Sequence, residues 1–381
     1  MRKGWEYKKL GEVCALTMGQ SPDGNSINEV NGIEFHQGKT CFGERFLGIS
    51  PLYSNAPTKL AEAHSVLLCV RAPVGYPNIT DRKICIGRGL CALYAKREID
   101  NSFLYYSLLG KQSYFEKNAT GSTFKAISSK IVSNTTLSIP PLSTQLAIVS
   151  ELDKINELIR LKKEQLKDFD NLAQSLFYEM FGDPVENEKG WEAKKLGEIG
   201  EFKNGLNFSK DEKGHSIKFL GVSDFQNKKS IASDQLAYIS LSERVQEDYL
   251  LKTGDLVFVR SNGKKELIGR SVKMYITEPT TYSGFCIRCR ITDEKVDKDY
   301  IAILLKTPII RQFMTNSGRG CNISNLNQKI LNSIPTILPP LPLQRLFAQR
   351  IEQIEREKSE VQKSIQDLET LLASRMQYWF E

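Results

Sequence analysis

Two stretches of this chain repeat their apolar residues on a seven-residue period. In the first, Leu152, Ile159, Leu166, Ala173 and Met180 share one heptad position and Ile155, Phe169 and Leu176 the other, with Lys162 the lone charge in the seam. In the second, Ile351, Ile365, Leu372 and Trp379 are joined by Ile354, Val361 and Leu368, and Lys358 and Arg375 interrupt the series. This period predicts two helices, each with one apolar seam. Gly182-Asp183-Pro184 ends the first of them. Each would run for roughly 40 residues, or ~60 Å at the rise of an α-helix. A helix of that length cannot bury itself against one small domain, so the two seams are expected to pack on each other as a coiled coil. The alternative is that each helix lies on its own domain.

Elsewhere the pattern has the shorter period of strands. Ser65–Arg71, Ile84–Ile86, Leu90–Tyr94, Asp255–Arg260, Val272–Ile276 and Phe285–Ile291 are expected to be strands, and Ser102–Lys117 and Lys298–Phe313 helical. Loops rich in Gly, Asn and Asp, such as Ser21–Gly32 and Ser261–Lys265, separate them.

These features occur twice. GWEYKKLGEV at Gly4–Val13 returns as GWEAKKLGEI at Gly190–Ile199, an offset of 186. Ile139-Pro140-Pro141-Leu142 with Gln145 returns as Leu338-Pro339-Pro340-Leu341 with Gln344, an offset of 199. The chain is a tandem duplication whose copies differ by 13 residues inside their central portions. Two copies of one unit imply two copies of one task, on a target that comes in two parts. Duplicated units are most simply related by a pseudo-two-fold axis, which favours antiparallel helices. The expected fold is α+β: two homologous mixed α/β domains at 1–141 and 182–340, separated by a helix pair from 142–181 and 341–381.

Composition narrows the class. A chain of 381 residues exceeds the usual limit of one core. No run approaches the ~18 apolar residues of a membrane span, and the start lacks the apolar core of a signal peptide. Eight dilute cysteines read as reduced thiols, so a cytoplasmic location is expected. The net charge of +7 is unevenly placed. Residues 1–141 carry +6 and residues 182–340 carry +4, whereas 142–181 carry −2 and 341–381 carry −1. Positive charge thus sits where the copies diverge, which suits variable surfaces meeting a polyanion.

Catalytic and metal motifs are missing. Both Pro-Pro pairs follow Ile139 or Leu338 and precede Leu, so neither is the D/N-P-P-Y/F loop of an amino-methyltransferase. Asn262-Gly263-Lys264-Lys265 lacks the upstream glycine and the Ser/Thr of a P-loop. Asp211-Glu212-Lys213 and Asp293-Glu294-Lys295 read as charged turns, and Gly87-Arg88-Gly89 lacks the third glycine of a dinucleotide site. Cys286-x-x-Cys289 lies in an alternating strand, where the two thiols face opposite sides, so no metal is expected. His36, His64 and His215 have no clustered partner and are expected at the surface or in loops.

At this point the chain resembles the specificity (S) subunit of type I restriction–modification systems. The resemblance rests on the duplicated W-x₃-K-L-G-E starts, Trp5 to Glu12 and Trp191 to Glu198, and on the paired I/L-P-P-L-x₂-Q motifs. It also rests on G-S-T-F…I-x₂-K-I from Gly121 to Ile131, with its counterpart from Gly320 to Ile330. The resemblance implies a non-catalytic subunit with two target-recognition domains, each reading half of a bipartite double-stranded DNA target. Its helices would set the spacer and dock two modification (methyltransferase) subunits. S-adenosylmethionine, ATP and Mg would belong to the modification and restriction subunits, with no cofactor on this chain. A bivalent protein-interaction adaptor is the competing reading.

For DNA contact, chemistry favours Arg, Lys, Asn, Gln, Ser and Thr on loops. The candidates in the first domain are Gln20, Ser21, Arg71, Arg82, Lys83, Arg88, Ser122, Thr123 and Lys125. In the second they are Lys203, Asn204, Asn207, Arg260, Ser261, Asn262, Lys264, Lys265, Arg270 and Arg319. Arg71 and Arg260 each end an apolar strand, LLCVR and LVFVR, and are expected at one place in the two copies, as DNA contacts or as structural salt bridges.

Overall fold

A computed structural model describes residues 4–121, 125–207, 214–226, 228–261, 267–316 and 325–380. It falls into two units, Met1–Glu164 with Gln362–Glu381, and Gln165–Val361.

In the first unit the W-x₃-K-L-G-E segment forms strand Glu6–Lys9, which pairs antiparallel with Thr136–Ile139. The start of the domain therefore lies beside its closing Pro-Pro-Leu. A one-turn helix, Leu10–Val13, follows, with the Glu12 carboxylate accepting from the Lys9 amide at 2.9 Å. Gly11 lets the turn sit close, because a Cβ would displace the Ser133 hydroxyl of helix Ser129–Asn134. Gly197 stands in the same relation to Asn332 in the second unit. The motif thus docks one turn of helix against another.

The main sheet of the first unit orders Cys14–Met18, Leu90–Ala95, Val66–Cys69 and Pro77–Ile79, all antiparallel. Strand Val66–Cys69 is buried on both faces, which explains its unbroken apolar run. Val66 and Leu68 enter a core with Leu10, Phe103, Leu137 and Leu152, while Leu67 and Cys69 enter another with Ile84, Ile86 and Leu90. The second unit repeats the plan. Gly200–Asn204, Cys286–Ile291, Leu256–Val259 and Ser271–Tyr275 form its sheet, extended by Ser230–Ala232. Cys289 enters one core and Cys286 another, so the C-x-x-C pair diverges as strand alternation requires.

Each expected mid-domain helix is two. Asn101–Gly110 breaks at Lys111 before Gln112–Asn118, and Lys298–Leu304 breaks before Pro308–Asn316. Pro308 opens its helix, where its missing N–H is not needed. Strand register also shows where the copies part in length. Cys14 corresponds to Gly200, Leu68 to Phe258, Cys91 to Ile287, and the helix caps Asp100 and Ser128 to Asp297 and Asn327. The offset therefore grows in steps through the loops between strands.

The two long helices are Leu142–Phe181 and Leu341–Phe380, 40 residues each. In the first unit Glu151 accepts from Arg375 and from Trp379 Nε1, and Trp379 stacks on Trp5 at 6.3 Å. In the second unit Asp170 takes Lys358, and Phe347 packs edge-on against Phe177 and Phe181. Early residues of one helix meet late residues of the other, so the pair is antiparallel. Leu152, Ile155, Ile159, Ile351, Ile354, Val361 and Ile365 are buried, and Leu166, Phe169, Leu176, Leu368 and Leu372 half-buried. Lys358 and Arg375, the charges that interrupt the period, are both answered by carboxylates of the facing helix. The two packing alternatives coexist: Leu152 also joins the first domain's core, and Ile351 and Ile354 the second's. Phe177 and Phe181, outside the heptad, are fully buried beside Tyr300.

Candidate nucleic-acid interface

In the first unit, loops that are far apart in sequence meet at one edge of the sheets. The Gly19 amide donates to Leu90, Gln20 to Ile86, Gly87 to His36 and Gly89 to Gln37, at 2.8–3.1 Å. Val70 donates to Gly89 at 2.9 Å, and Ala72 to Lys125 at 3.0 Å. Backbone lies directly on backbone here. A Cβ on Gly19 would collide with the Gly87 carbonyl, and one on Gly89 with that of Gln37. The side chains on this rim are then set by the frame. Gln20, Gln37, Lys39, Arg71, Arg88 and Lys125 are exposed, and Ser21 donates to Gln37 Oε1 at 2.8 Å. Gln37, Lys39, Arg71 and Arg88 line a cleft of about 290 Å³ with no carboxylate among its lining residues.

The second unit builds the same rim. The Gly205 amide donates to Cys286 as Gly19 does to Leu90, and a Cβ on Gly205 would strike the Ser283 carbonyl. The Arg260 amide donates to Phe285 at 2.8 Å as Val70 does to Gly89, and its carbonyl accepts from Leu326 as that of Val70 does from Ile127. This corrects the pairing of Arg71 with Arg260. Arg260 occupies the place of Val70, and Ser261 that of Arg71. The matching letters LLCVR and LVFVR are one residue out of structural register, and in extended chain one residue reverses the face. By the same bonds Gly284 stands where Arg88 does, and the exposed Phe285 where Gly89 does. Asn204, which accepts from Gln328 at 3.1 Å, and Asn207 are exposed, whereas Arg260 and Ser261 are half-buried.

Other candidates are held within their own domains. Arg82 donates to both oxygens of Glu34 at 2.6 and 2.7 Å, to Asp81 at 2.7 Å and to the Gly48 carbonyl at 2.9 Å. Lys83 pairs with Glu62 at 2.8 Å. Lys203 pairs with Asp248 at 2.8 Å and lies over the Tyr249 ring, and Arg270 donates to the Gln226 carbonyl. Ser122, Thr123, Asn262, Lys264, Lys265 and Arg319 lie outside the described residues. Sequence reasoning missed Gln37 and Lys39. The available signal was their position directly after the strand Ile33–His36, next to a glycine.

His36 departs from the surface expectation. It is buried, with Nε2 at 2.8 Å from Glu34. Burial holds its pKa below the ordinary value against the pull of Glu34. Burial would raise Glu34, but Arg82, the Ser50 amide and His36 outweigh it and bring the carboxyl to about 2. The segment between Phe35 and Gln37 thus turns its one ionisable group inward. Among the described residues no three His, Cys, Asp or Glu side chains are placed to hold a metal ion.

The sequence family described as the type I restriction modification DNA specificity domain matches residues 2–168 and again 188–370. Over 176 residues the chain is 36% identical to the putative type I restriction enzyme MjaX specificity subunit of Methanocaldococcus jannaschii, covering 45% of this chain and 41% of that protein. The match therefore spans less than half the length of that relative. The type I restriction enzyme MjaVIII specificity subunit of the same organism is 22% identical over 395 residues, covering 97% and 92%. Among solved structures, the S subunit of a type I restriction–modification system from M. genitalium shares the fold with a TM-score of 0.56 at 16% identity, covering 99% and 96%.

Proposed function

This chain belongs to the type I restriction modification DNA specificity domain family, and from that membership we propose that each of its two rims reads one half of a split DNA target. The family's work is DNA recognition rather than catalysis. The observation that carries the two-part reading is a single backbone rim built twice with unlike side chains. The first presents Arg71, Arg88, Gln20 and Lys125; the second presents Asn204, Asn207, Ser261 and Phe285. Phosphate contacts fix where a protein sits on a duplex, while side chains at base edges decide sequence. A constant frame with changeable edges suits that division. Positive charge concentrated in 1–141 and 182–340 supplies the phosphate attraction.

In this reading the long helices set the spacer and dock two modification subunits, which bind S-adenosylmethionine and methylate adenine. Restriction subunits using ATP and Mg²⁺ complete the assembly in the cytoplasm. Replacing residues 1–141 with the equivalent block of a relative, and mapping methylated adenines made by the reconstituted complex, tests it. One half-site should change and the other stay. A change in both, or in neither, would refute the assignment of one domain to one half-site. The adaptor reading instead predicts no duplex binding with the steep salt dependence of counterion release.

A further inference from the structure

Resting on the reading just given, we propose that Arg71 and Arg88 are the guanine-reading residues of the first domain. Both line the same cleft, whose lining contains no carboxylate. Among the described residues neither guanidinium has an ion-pair partner, whereas Arg82 in the same domain is gripped by Glu34 and Asp81. Their backbones are nevertheless fixed. Arg71 bridges to Ala126, and Arg88 stands between two glycines whose amides are bonded to His36 and Gln37. The fixed backbone sets where each side chain starts, and a guanidinium with no ion pair to break has its donors available to a ligand, at the ordering cost of one long side chain.

The second copy supplies the contrast. It keeps the backbone rim and replaces these two positions by Ser261 and Gly284. A purely structural need for the arginines would apply to both copies, because the frame they stand on is the same. What differs between the copies is what they read.

The fork chemistry selects the base. Two parallel N–H donors match the paired O6 and N7 acceptors that guanine shows in the major groove. Adenine places a donor beside its acceptor, and thymine offers one acceptor beside a methyl group. The first half-site should therefore contain guanine at the positions these residues face, and the second should not depend on either of them.

Lysine keeps the charge and loses the fork, so Arg71→Lys and Arg88→Lys separate base reading from phosphate neutralisation. Each full-length variant, assembled with modification subunits, is given a randomised duplex library, and methylated adenines are mapped. The expected result is a loss of guanine preference, on the order of ten- to a hundredfold, at individual positions of one half-site, with the other half-site unchanged. The double variant Arg71→Ser with Arg88→Gly, which installs the residues of the second rim, should lose the same preference and gives a second route should a lysine variant fail to assemble. A first half-site without guanine would overturn the proposal. So would variants that keep the sequence preference and weaken methylation of all sequences alike with a shallower salt slope, the mark of phosphate contacts. If exchanging residues 1–141 altered neither half-site, the two-domain reading itself would have failed, and the block exchange shows this separately.

Discussion

Arg71 and Arg82 are eleven positions apart and carry the same group in opposite surroundings, the first exposed and the second ion-paired. Arg82 closes a network in which Glu34, well shielded from solvent, also meets His36 and the Ser50 amide. Replacing Arg82 by Gln strands that carboxylate. Because the Arg82 side chain is about one-third exposed, the expected loss at neutral pH is discounted to about 2 kcal/mol, below the 3–5 kcal/mol of a fully buried pair. Acid should act in a defined direction. Glu34 is depressed, so its contribution is complete above the ordinary value of 4.5 and is lost as pH falls toward about 2. His36 is depressed too and stays neutral in the fold; the unfolded chain takes up a proton as pH drops below the ordinary 6.5, so stability starts to fall there. Denaturant unfolding of wild type and Arg82→Gln at several pH values should show a gap that narrows below 4.5, with half-site sequences unaltered. A gap constant with pH would mean that Glu34 is not the group Arg82 holds. Nothing along the sequence marks this fate, because the partner carboxylate is 48 residues away. Residue type showed which side chains could touch DNA, and only tertiary pairing showed which were free to.

Elements were far more legible, because periodicity acts locally and twice over. The heptads mark both 40-residue helices, and short unbroken apolar runs mark the central strands. Misread were the shorter helices, where Gly110 gives way beneath the Cβ of Phe380, a contact between residues 270 positions apart. The I/L-P-P-L-x₂-Q motif is legible as a repeat, but its purpose is not. Gln145 is fully buried on the first turns of its helix, accepting from the Asp100 amide at 2.9 Å and donating to the Glu98 and Pro140 carbonyls at 3.0 and 2.9 Å. Gln344 makes the same three bonds to Asp297, Lys295 and Pro339. One amide thus ties the start of a long helix to the cap of a short one and to the Pro-Pro turn. Gln145→Ala or Gln344→Ala leaves these backbone groups without partners in a dry site, at a cost of about 2–4 kcal/mol. Chemical denaturation of the full chain measures it. A loss below about 1 kcal/mol would show that the motif is not holding the helix start through its amide.

At the scale of the whole molecule, the duplication was plain in the sequence, whereas the candidate site was only partly so. Its frame is made of backbone hydrogen bonds between glycines and strand ends, and these leave little trace beyond the glycines themselves. That is why Gln37 was missed and Arg260 placed one residue off. The function proposed for the helices was suggested by their length, and it is testable through length. The first long helix runs unbroken from Leu142 to Phe181 and contributes residues to both units. Inserting four residues between Glu157 and Lys167 adds about one turn, or ~6 Å. DNA rises ~3.4 Å per base pair, so a spacer measured by this helix should lengthen by about one or two base pairs. The half-site sequences should not change, since no rim residue lies in the inserted stretch. The facing helix keeps its length, so the apolar seam after the insertion falls out of step with it and the complex should also lose stability. Mapping methylated adenines made by the insertion variant reads both half-sites and the gap between them. A longer gap with intact half-sites makes the helices a ruler, whereas an unchanged gap with full methylation would leave them as a docking surface that does not measure DNA.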